Sequence, residues 1–417
     1  MSSKALADGM SSDSSPALEP KLRFPEFRDT AKWKPRPLRL ACQMQAGNFV
    51  PASEIRAGNE QGLYPCYGGN GLRGYTATFT HSGTFSLIGR QGALCGNVRQ
   101  ATGRFHATEH AIVVTPKSGV SGDYLFFVLD FLNLNRFASG QAQPGLSVDV
   151  LDKLPIVVPD HESEQQKVAD CLFSVGDLIA AQARKVGALK SHKVGLMRRL
   201  LPGEGETQPD LRFPEFEGAG KWACEGLCNC LDKVIDYRGK APPKSDSGVP
   251  LITAKNVRLG WLDMTNDEYI EEDKYEDWMT RGIPKAGDIL FTTEAPLGNV
   301  ALFPSAGRLA LGQRILTLRS RADRCLPEFL FQSLLGPRMQ NEIDFHSTGS
   351  TAKGIKSAVF VKISFCYPGI EEQQRIADCL TSLDDLIGAE AQRLEALKTH
   401  KKGLMQQLFQ STEEVEA

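Results

Sequence analysis

Apolar residues recur at alternating intervals of four and three along two segments of the chain, residues 164–201 and 372–409. The two segments are identical at 22 of 38 aligned positions. This spacing places apolar residues in one stripe along a helix, as in the heptads of coiled coils. The sequence therefore predicts two long helices. Their stripes consist of Val168, Leu172, Val175, Ile179, Val186, Leu189, Leu196 and Leu200 in the first copy, and Ile376, Leu380, Leu383, Ile387, Leu394, Leu397, Leu404 and Leu408 in the second.

Two stripes that match in length most simply bury each other, although a single stripe would be explained equally well by packing on a globular core. A chain that returns through a whole domain favours antiparallel pairing. Four polar residues interrupt the stripes: Gln182, Lys193, Glu390 and Lys401. One stagger places Lys193 opposite Glu390 and Gln182 opposite Lys401, and it leaves none of them against leucine without a partner. We predict this register.

A second repeat shows that the chain consists of two halves. The sequence LRFPEF occurs at 22–27 and 211–216, and each copy is followed by a Lys-Trp pair. Short β-branched runs broken by Gly, Pro and Asn lie between the repeats, which predicts strands and turns. The expected fold class is α+β, with two globular domains separated by two long antiparallel coiled-coil helices in a pseudo-twofold internal repeat. The repeats predict similar ends that enclose dissimilar middles.

The positions of the two sequence repeats set the expected domain boundaries. We predict a flexible tail at 1–20, a first globular domain at 21–160, a central helix at 161–202, a linker at 203–210, a second globular domain at 211–369, a C-terminal helix at 370–410 and a tail at 411–417.

Composition narrows the class of protein. The 417 residues are 41% hydrophobic, which is ordinary for a globular protein. No apolar stretch approaches the roughly 18 residues of a bilayer span. The ten cysteines are scattered rather than spaced as a disulfide framework, which predicts reduced thiols and a cytoplasmic location.

Candidate catalytic and metal motifs are weak. His106 and His110 match the spacing of inverted zincins, but the β-branched residues that follow predict a strand, on which the two rings would be about 13 Å apart. Three cysteines within 224–230 have no second pair at zinc-finger spacing. The glycines of 68–71 lack the Lys-Ser/Thr of a phosphate loop. We predict no metal site and no catalytic activity.

Local charge supports binding of a polyanion, although the whole chain has a formal charge of −2. Residues 21–160 contain 15 basic and 10 acidic residues, a net charge of +5. The second domain is balanced only because eight acids lie between Asp263 and Asp277. Arg, Asn and Gln read base edges in DNA, although each such residue can also simply face solvent. The DNA-binding candidates are Tyr67, Asn70, Arg73, Arg90, Gln91, Asn97, Arg99, Gln143, Lys255, Asn256, Arg258, Asn299, Arg314, Thr351 and Lys353.

The chain resembles the specificity subunit of type I restriction-modification enzymes. The resemblance rests on LRFPEF with its Trp and on two strands that end in Pro and lead through Glu-Gln-Gln into a long helix. It implies two target-recognition domains, each of which reads one half of a bipartite asymmetric DNA site. It also implies that the helices set the spacing between the two half-sites and dock methylation subunits, of which we expect two.

The resemblance further implies that the chain is not an enzyme and binds no cofactor. S-adenosylmethionine would serve the methylation subunits, and ATP with Mg²⁺ would serve the restriction and translocase subunits. Two alternatives stay open: a stand-alone DNA-binding regulator, which would bind its site tightly without partners, and a coiled-coil scaffold, which would show no salt-dependent DNA affinity.

Overall fold

The computed structural model describes residues 19–92, 94–140, 144–237, 241–265, 268–304, 307–350 and 352–409. The chain forms two compact units. The first unit is discontinuous: it consists of the residues up to Gln182 and those from Arg393 onward. The second unit is Ala183–Gln392. Each long helix therefore contributes residues to both units.

The first unit is built on a six-stranded sheet covered by a helix. Its elements are β1 (Lys34–Pro37), β2 (Cys42–Ala46), β3 (Tyr64–Gly68), β4 (Gly71–Thr76), β5 (His81–Gly89), β6 (Val98–Ala107), β7 (Ala111–Pro116), α1 (Gly122–Phe131), α2 (Val148–Leu151), β8 (Pro155–Val158) and the long helix α3 (Glu162–Leu200). The sheet order is β2-β7-β5-β6-β3-β4, and β1 pairs separately with β8. Alternation along the strands buries both sheet faces: Ile88 and Val98 pack in the main core with α1, and Leu87 and Phe105 form a smaller cluster.

The second unit contains a four-stranded sheet and three smaller ones. Its elements are β9 (Ala223–Gly226), β10 (Leu231–Asp236), β11 (Val249–Ile252), β12 (Val257–Arg258), β13 (Trp261–Leu262), β14 (Tyr269–Ile270), α4 (Tyr275–Trp278), β15 (Ile289–Thr293), β16 (Leu297–Leu302), β17 (Ala310–Leu311), β18 (Ile315–Ser320), α5 (Pro327–Leu335), α6 (Pro337–Phe345), α7 (Ser357–Phe360), β19 (Ser364–Tyr367) and the long helix α8 (Ile370–Leu408). The main sheet has the order β10-β18-β15-β16, and the smaller sheets are β14-β11-β17, β12-β13 and β9-β19.

The two units share one sheet framework. The strand order β2-β7-β5-β6 corresponds to β10-β18-β15-β16, and the pairs β1-β8 and β9-β19 correspond as well. The α+β class with two repeated domains and two long helices is confirmed. The expectation of dissimilar middles holds only for part of each middle, since the largest difference lies between the first and second framework strands along the chain, at 47–80 and 237–288. Many different sequences satisfy the same strand alternation, so the shared framework leaves no repeat in the sequence.

The repeated motifs meet in a buried ion pair in each unit. Arg23 of the first LRFPEF donates from Nε and Nη2 to the two carboxylate oxygens of Glu164, at 2.7 and 2.9 Å. Both side chains are almost completely buried. Arg212 makes the same two-bonded pair with Glu372 in the second unit. The motifs therefore join the segment before each domain to the start of the long helix that follows it.

The first glutamine after each of these glutamates fixes the helix start from the other side. Gln165 donates to the backbone oxygens of Gly119 and Pro159 and accepts from the backbone nitrogen of Ser121, the residue before α1. Gln373 makes the same three kinds of bond, to Arg324, Pro368 and Leu326. These bonds account for the Glu-Gln-Gln sequence at each helix start.

The expectation of reduced thiols is wrong for one pair of cysteines. A disulfide joins Cys224 of β9 to Cys366 of β19, two directly opposed residues with Cα atoms 4.1 Å apart. The corresponding opposed pair in the first unit is Pro35 and Val157. The two cysteines lie 142 residues apart in the chain, so their pairing follows from strand register and not from any sequence spacing. The other eight cysteines are free.

The helix register predicted from the seam-breaking residues is wrong. In the second unit Lys193 bonds both carboxylate oxygens of Asp384, at 2.6 and 2.7 Å, and Glu390 pairs with Lys185. These pairs run in opposite directions along the two helices, so the helices are antiparallel in this unit. Asp384 and Lys185 lie beside the apolar stripes, and their side chains reach the polar residues within the stripes, Lys193 and Glu390. The prediction had paired the polar residues of the stripes only with one another.

The other half of the register prediction is also wrong. In the first unit Lys401 places its Nζ 5.2 Å from the ring centre of Phe127, in a cation–π contact with α1. Gln182 is buried and is bonded within the fold.

No helix of the described ranges is long and apolar enough to cross a membrane.

We expect Glu164→Gln to lower the free energy of unfolding by about 3 kcal/mol, because it leaves a buried guanidinium without its counter-charge. Glu162→Gln, an exposed change in the same helical turn, is the matched control. Urea denaturation measures both. Equal effects of the two substitutions would show that the pair contributes no more than a surface charge.

We expect a double-mutant cycle on Lys193→Met and Asp384→Asn to give a coupling energy of about 0.5–1 kcal/mol, because the pair is partly shielded from water. The same cycle on Lys193 and Glu390 should be additive, since those residues have different partners. Coupling in the second cycle and none in the first would restore the register predicted from the sequence.

Candidate nucleic-acid interface

The first loop cluster forms where three loops of the first unit meet. They are the turn between β3 and β4, the loop after β5 and the residues before β7. The backbone nitrogen of Arg90 donates to the oxygen of His110 at 2.9 Å. A Cβ atom at Gly69 would lie 3.0 Å from the oxygen of His110 and 3.1 Å from that of Gln91, so a side chain here would crowd both backbone oxygens. The glycine-rich run at 68–71 is therefore a packed turn.

Four predicted residues come together in the first loop cluster: Asn70, Arg73, Arg90 and Gln91. Asn70, Arg73 and Gln91 are exposed. The amide oxygen of Gln91 lies 3.0 Å from Nδ1 of His110. Arg73 and Arg90 form no ion pair with an acid in the part of the chain that the structure describes. Their charges are available to a bound anion.

A further loop of the first unit is anchored to this cluster. The backbone nitrogen of Leu146 donates to the oxygen of Arg90 at 2.9 Å, and Gln91 forms a bridge with Gly145. The predicted residue Gln143 belongs to this loop segment of the sequence but lies outside the described residues.

The remaining candidates of the first unit occupy different positions. Tyr67 is half-buried with its ring against Phe105, and burial raises the pKa of its phenol, which stays a neutral hydrogen-bond donor. Asn97 lies at the base of the β5–β6 hairpin, where its backbone oxygen accepts from Gly89. Arg99 lies farther along β6, opposite Leu87, outside the first loop cluster.

The second unit repeats the backbone pattern of this cluster. The nitrogen of Thr293 donates to the oxygen of Arg314, and the nitrogen of Ile355 donates to the oxygen of Thr293, both at 2.9 Å. Glu294 forms a bridge with Gly354, as Gln91 does with Gly145. Arg314 and Glu294 form an ion pair at 2.9 Å, which corresponds to the contact of His110 with Gln91. We call these residues the second loop cluster.

The other cations of the second unit are mostly paired. Lys353 bonds Asp344 at 2.6 Å, and Arg258 pairs with Asp263 at 3.2 Å. Lys255 is exposed and makes no ion pair with a described acid. The predicted residue Thr351 lies outside the described residues.

Two predicted amides are used inside the fold. Asn256 is 2% exposed, accepts from the backbone nitrogen of Thr253 and donates to the oxygen of Asp263. Asn299 donates its amide to the oxygen of Val257. The Asn256 side chain holds a turn and the Asn299 side chain joins β16 to β12, so the geometry offers neither to a base.

Sequence reasoning missed His110 and Glu294 as members of the two clusters. His110 drew attention only for its spacing from His106, whose ring is buried and contacts Thr78 and the backbone oxygen of Asn48. His106 lies in β6 and His110 in the turn before β7, not on one strand as predicted, so one ring is structural and the other is exposed. Each polar pair joins loops that are about 20 residues apart, so local spacing carries no signal for it.

The clusters can bind an extended anion. Guanidinium and amide groups donate to phosphate oxygens and to base edges, and both clusters expose them on rigid hairpin ends. No group of three metal-ligating side chains occurs in the described ranges.

Residues 31–190 and 239–399 match the family model described as the type I restriction modification DNA specificity domain. The two matches cover well over half of the chain, with one match in each half of the repeat. The chain belongs to this family. The specificity protein therefore carries two target-recognition domains, which confirms the resemblance found in the sequence. Specificity subunits of this kind are not catalytic.

Relatives agree with the family assignment. The chain is 45% identical to the EcoprrI specificity subunit of Escherichia coli, over 33% of this chain and 34% of that protein, so this match spans about a third of the relative's length. It is 21% identical to a putative type I restriction enzyme specificity subunit of Haemophilus influenzae, over 85% of this chain and 88% of that protein.

Solved structures share the fold. The S subunit of a type I restriction-modification system from M. genitalium superposes with a TM-score of 0.62 at 15% identity, over 94% of this chain and 100% of that one. A chain from a study of complex assembly in the type I restriction-modification system gives a TM-score of 0.53 at 16% identity, over 89% and 96% of the two chains.

We expect Asn256→Ala to destabilise the protein by about 1–3 kcal/mol, because it leaves buried backbone donors and acceptors without their hydrogen-bond partners. Lys255→Ala, at the neighbouring exposed position, should leave the melting temperature unchanged. Thermal denaturation of both variants tests the assignment. A stable Asn256→Ala protein would show that the side chain does not hold the turn.

Proposed function

We propose that this chain selects the DNA sequence for a type I restriction-modification complex and that each loop cluster reads one half of a two-part site. The observation that carries this proposal is the shared framework with a different insertion in each unit, at 47–80 and 237–288. A constant framework with exchangeable loops suits two readers that face different base sequences.

The proposed DNA contacts follow from charge and exposure. Arg73 and Arg90 are available in the first loop cluster. In the second unit, the ion pairs of Arg314 and Lys353 are solvent-exposed on both partners. Exposed pairs contribute little to stability, so a phosphate or a base can replace the carboxylate at small cost. Asn256 and Asn299 are left out of the proposed contacts.

The long helices are the proposed spacer and docking surface. Each has 39 residues, which at about 1.5 Å per residue gives roughly 58 Å, compared with about 34–36 Å for one turn of DNA. A spacer of this length would leave base pairs unread between two half-sites. Exposed apolar residues on both helices, Leu178 and Leu386 among them, support docking of other subunits.

The proposed partners are double-stranded DNA, two methylation subunits, and restriction and translocase subunits. S-adenosylmethionine and ATP with Mg²⁺ are assigned to those subunits and none of them to this chain. The complex would act on DNA in the cytoplasm.

We expect Arg73→Gln to relax or weaken recognition of one half-site and Arg314→Gln to do so for the other. A lost base contact reduces discrimination by about 1–3 kcal/mol. Arg56→Gln is the matched control, because Arg56 is exposed in the first unit but pairs with Glu60. Mapping methylated adenines in DNA treated with the assembled methyltransferase measures all three.

Three outcomes would contradict the proposal in different ways. A change in both half-sites from one substitution would show that the units do not read independently. Tight, sequence-specific binding by the chain alone would favour the stand-alone regulator. DNA affinity that does not fall with salt would favour the scaffold, because phosphate contacts release counterions.

A further inference from the structure

One position of the shared framework carries a different pair of polar side chains in each unit. In the first unit the amide Oε1 of Gln91 lies 3.0 Å from the ring Nδ1 of His110. In the second unit Nε of Arg314 lies 2.9 Å from Oε1 of Glu294. Matching backbone bonds hold the two pairs. The framework therefore offers one site at which only the side-chain chemistry changes.

Both side chains of the second pair leave from a fixed backbone. The oxygen of Arg314 accepts from the backbone nitrogen of Thr293 at 2.9 Å and from its hydroxyl at 3.3 Å, and Thr293 is buried. Arg314 has a φ of 68°, in the left-handed region that residues other than glycine rarely adopt. Glu294 forms a bridge with Gly354, where an added Cβ would lie 3.3 Å from the Cβ of Glu294. Rare conformations of this kind cluster at functional sites, and here they fix where the two charged groups stand.

A carboxylate is an unusual group on a surface that binds DNA. The phosphates repel the charge of Glu294, so the carboxylate favours binding only where a donor on the DNA meets it. In the major groove the N4 amino group of cytosine donates to Glu or Asp, and the N7 and O6 atoms of guanine accept from Arg. These groups lie side by side on the edge of one G·C pair. Glu294 and Arg314 are both half-exposed and place an acceptor beside donors, which is the complement of that edge.

We propose that Glu294 and Arg314 together read one G·C pair in the half-site of the second unit, an inference that rests on the proposed function. Arg314 donates to N7 and O6 of guanine, and Glu294 accepts from N4 of the paired cytosine. Without DNA the two groups neutralise each other. The first unit has Gln91 at the equivalent position, and glutamine matches the N6 and N7 groups of adenine instead. This pair of side chains therefore sets which base pair the loop cluster accepts.

The first test separates base reading from simple neutralisation of Arg314. The assembled methyltransferase is bound to duplexes that keep the first half-site and are randomised in the second. The wild-type complex should prefer G·C over A·T about tenfold at one position, and Glu294→Gln should remove most of this preference and change no other position. If Glu294 only neutralises Arg314, Glu294→Gln will instead strengthen binding to all sequences equally, which would overturn the proposal.

Asp323→Asn is the matched control for this test. Arg314 directly precedes β18 and Arg321 directly follows it, and Arg321 forms an exposed ion pair with Asp323 at 3.6 Å. The control therefore removes a carboxylate from an exposed arginine at the other end of the same strand. It should leave the base preference at every position unchanged. Loss of the same G·C preference in Asp323→Asn would show that the effect of Glu294→Gln is one of general charge.

The second test addresses the atoms of the base pair. 7-Deazaguanine pairs with cytosine but has no N7, and at the G·C position it should weaken wild-type binding about fivefold. It should not weaken binding by Arg314→Ala any further, because the contact is already lost. An equal loss in both proteins would show that Arg314 does not contact this guanine.

A double variant transplants the pair of the first unit. Glu294→Gln with Arg314→His should change the preferred pair at this position from G·C to A·T, and a double variant that still prefers G·C would overturn the proposal. A wild-type complex that shows no base preference anywhere in the second half-site would contradict the proposed function itself. The failure of the reading pair and the failure of the proposed function are thus different results.

Discussion

A guanidinium and a carboxylate held together out of water fix the start of each long helix. Removing both charges from solvent is costly, and the paired geometry compensates only while both partners are present. Arg23 with Glu164 and Arg212 with Glu372 therefore act as all-or-none connections. The adjacent glutamines bond the proline that follows the preceding strand and the residue that precedes α1 or α5. The direction in which each helix leaves its domain follows from these few buried groups.

The framework strands and the insertions have different roles in each target-recognition domain. The framework strands bury apolar residues on both faces and leave little freedom for change. The insertion of the first unit brings the β3–β4 turn into the first loop cluster, where Gly69 allows close backbone approach and polar side chains stay exposed. Variation can therefore alter the surface offered to DNA without disturbing the pairs that hold the helix starts.

The long helices and the two-half organisation were predictable because heptad stripes and identical motifs are local signals. The helix register was not predictable, because Asp384 and Lys185 beside the stripes are charged as well. The sequence alone does not show whether a polar residue within a stripe pairs with such a neighbour or with another residue of the stripe. The disulfide between Cys224 and Cys366 depended on strand pairing across 142 residues. Asn256 and Lys255 are neighbours of similar polarity, yet only one is exposed, and a residue-type criterion does not separate them.

The first unit is discontinuous in the chain, and this has a consequence for synthesis on the ribosome. Its core includes Met405, Leu408 and Phe409, and the backbone nitrogen of Leu22 donates to the oxygen of Gln407 at 3.0 Å. The second unit, by contrast, is one continuous stretch. The ribosome completes that stretch before it makes residues 393–409, so the apolar surface that Met405, Leu408 and Phe409 cover in the first unit lacks its cover until the end of synthesis. The unit that the ribosome begins first is thus the last one for which all residues are available.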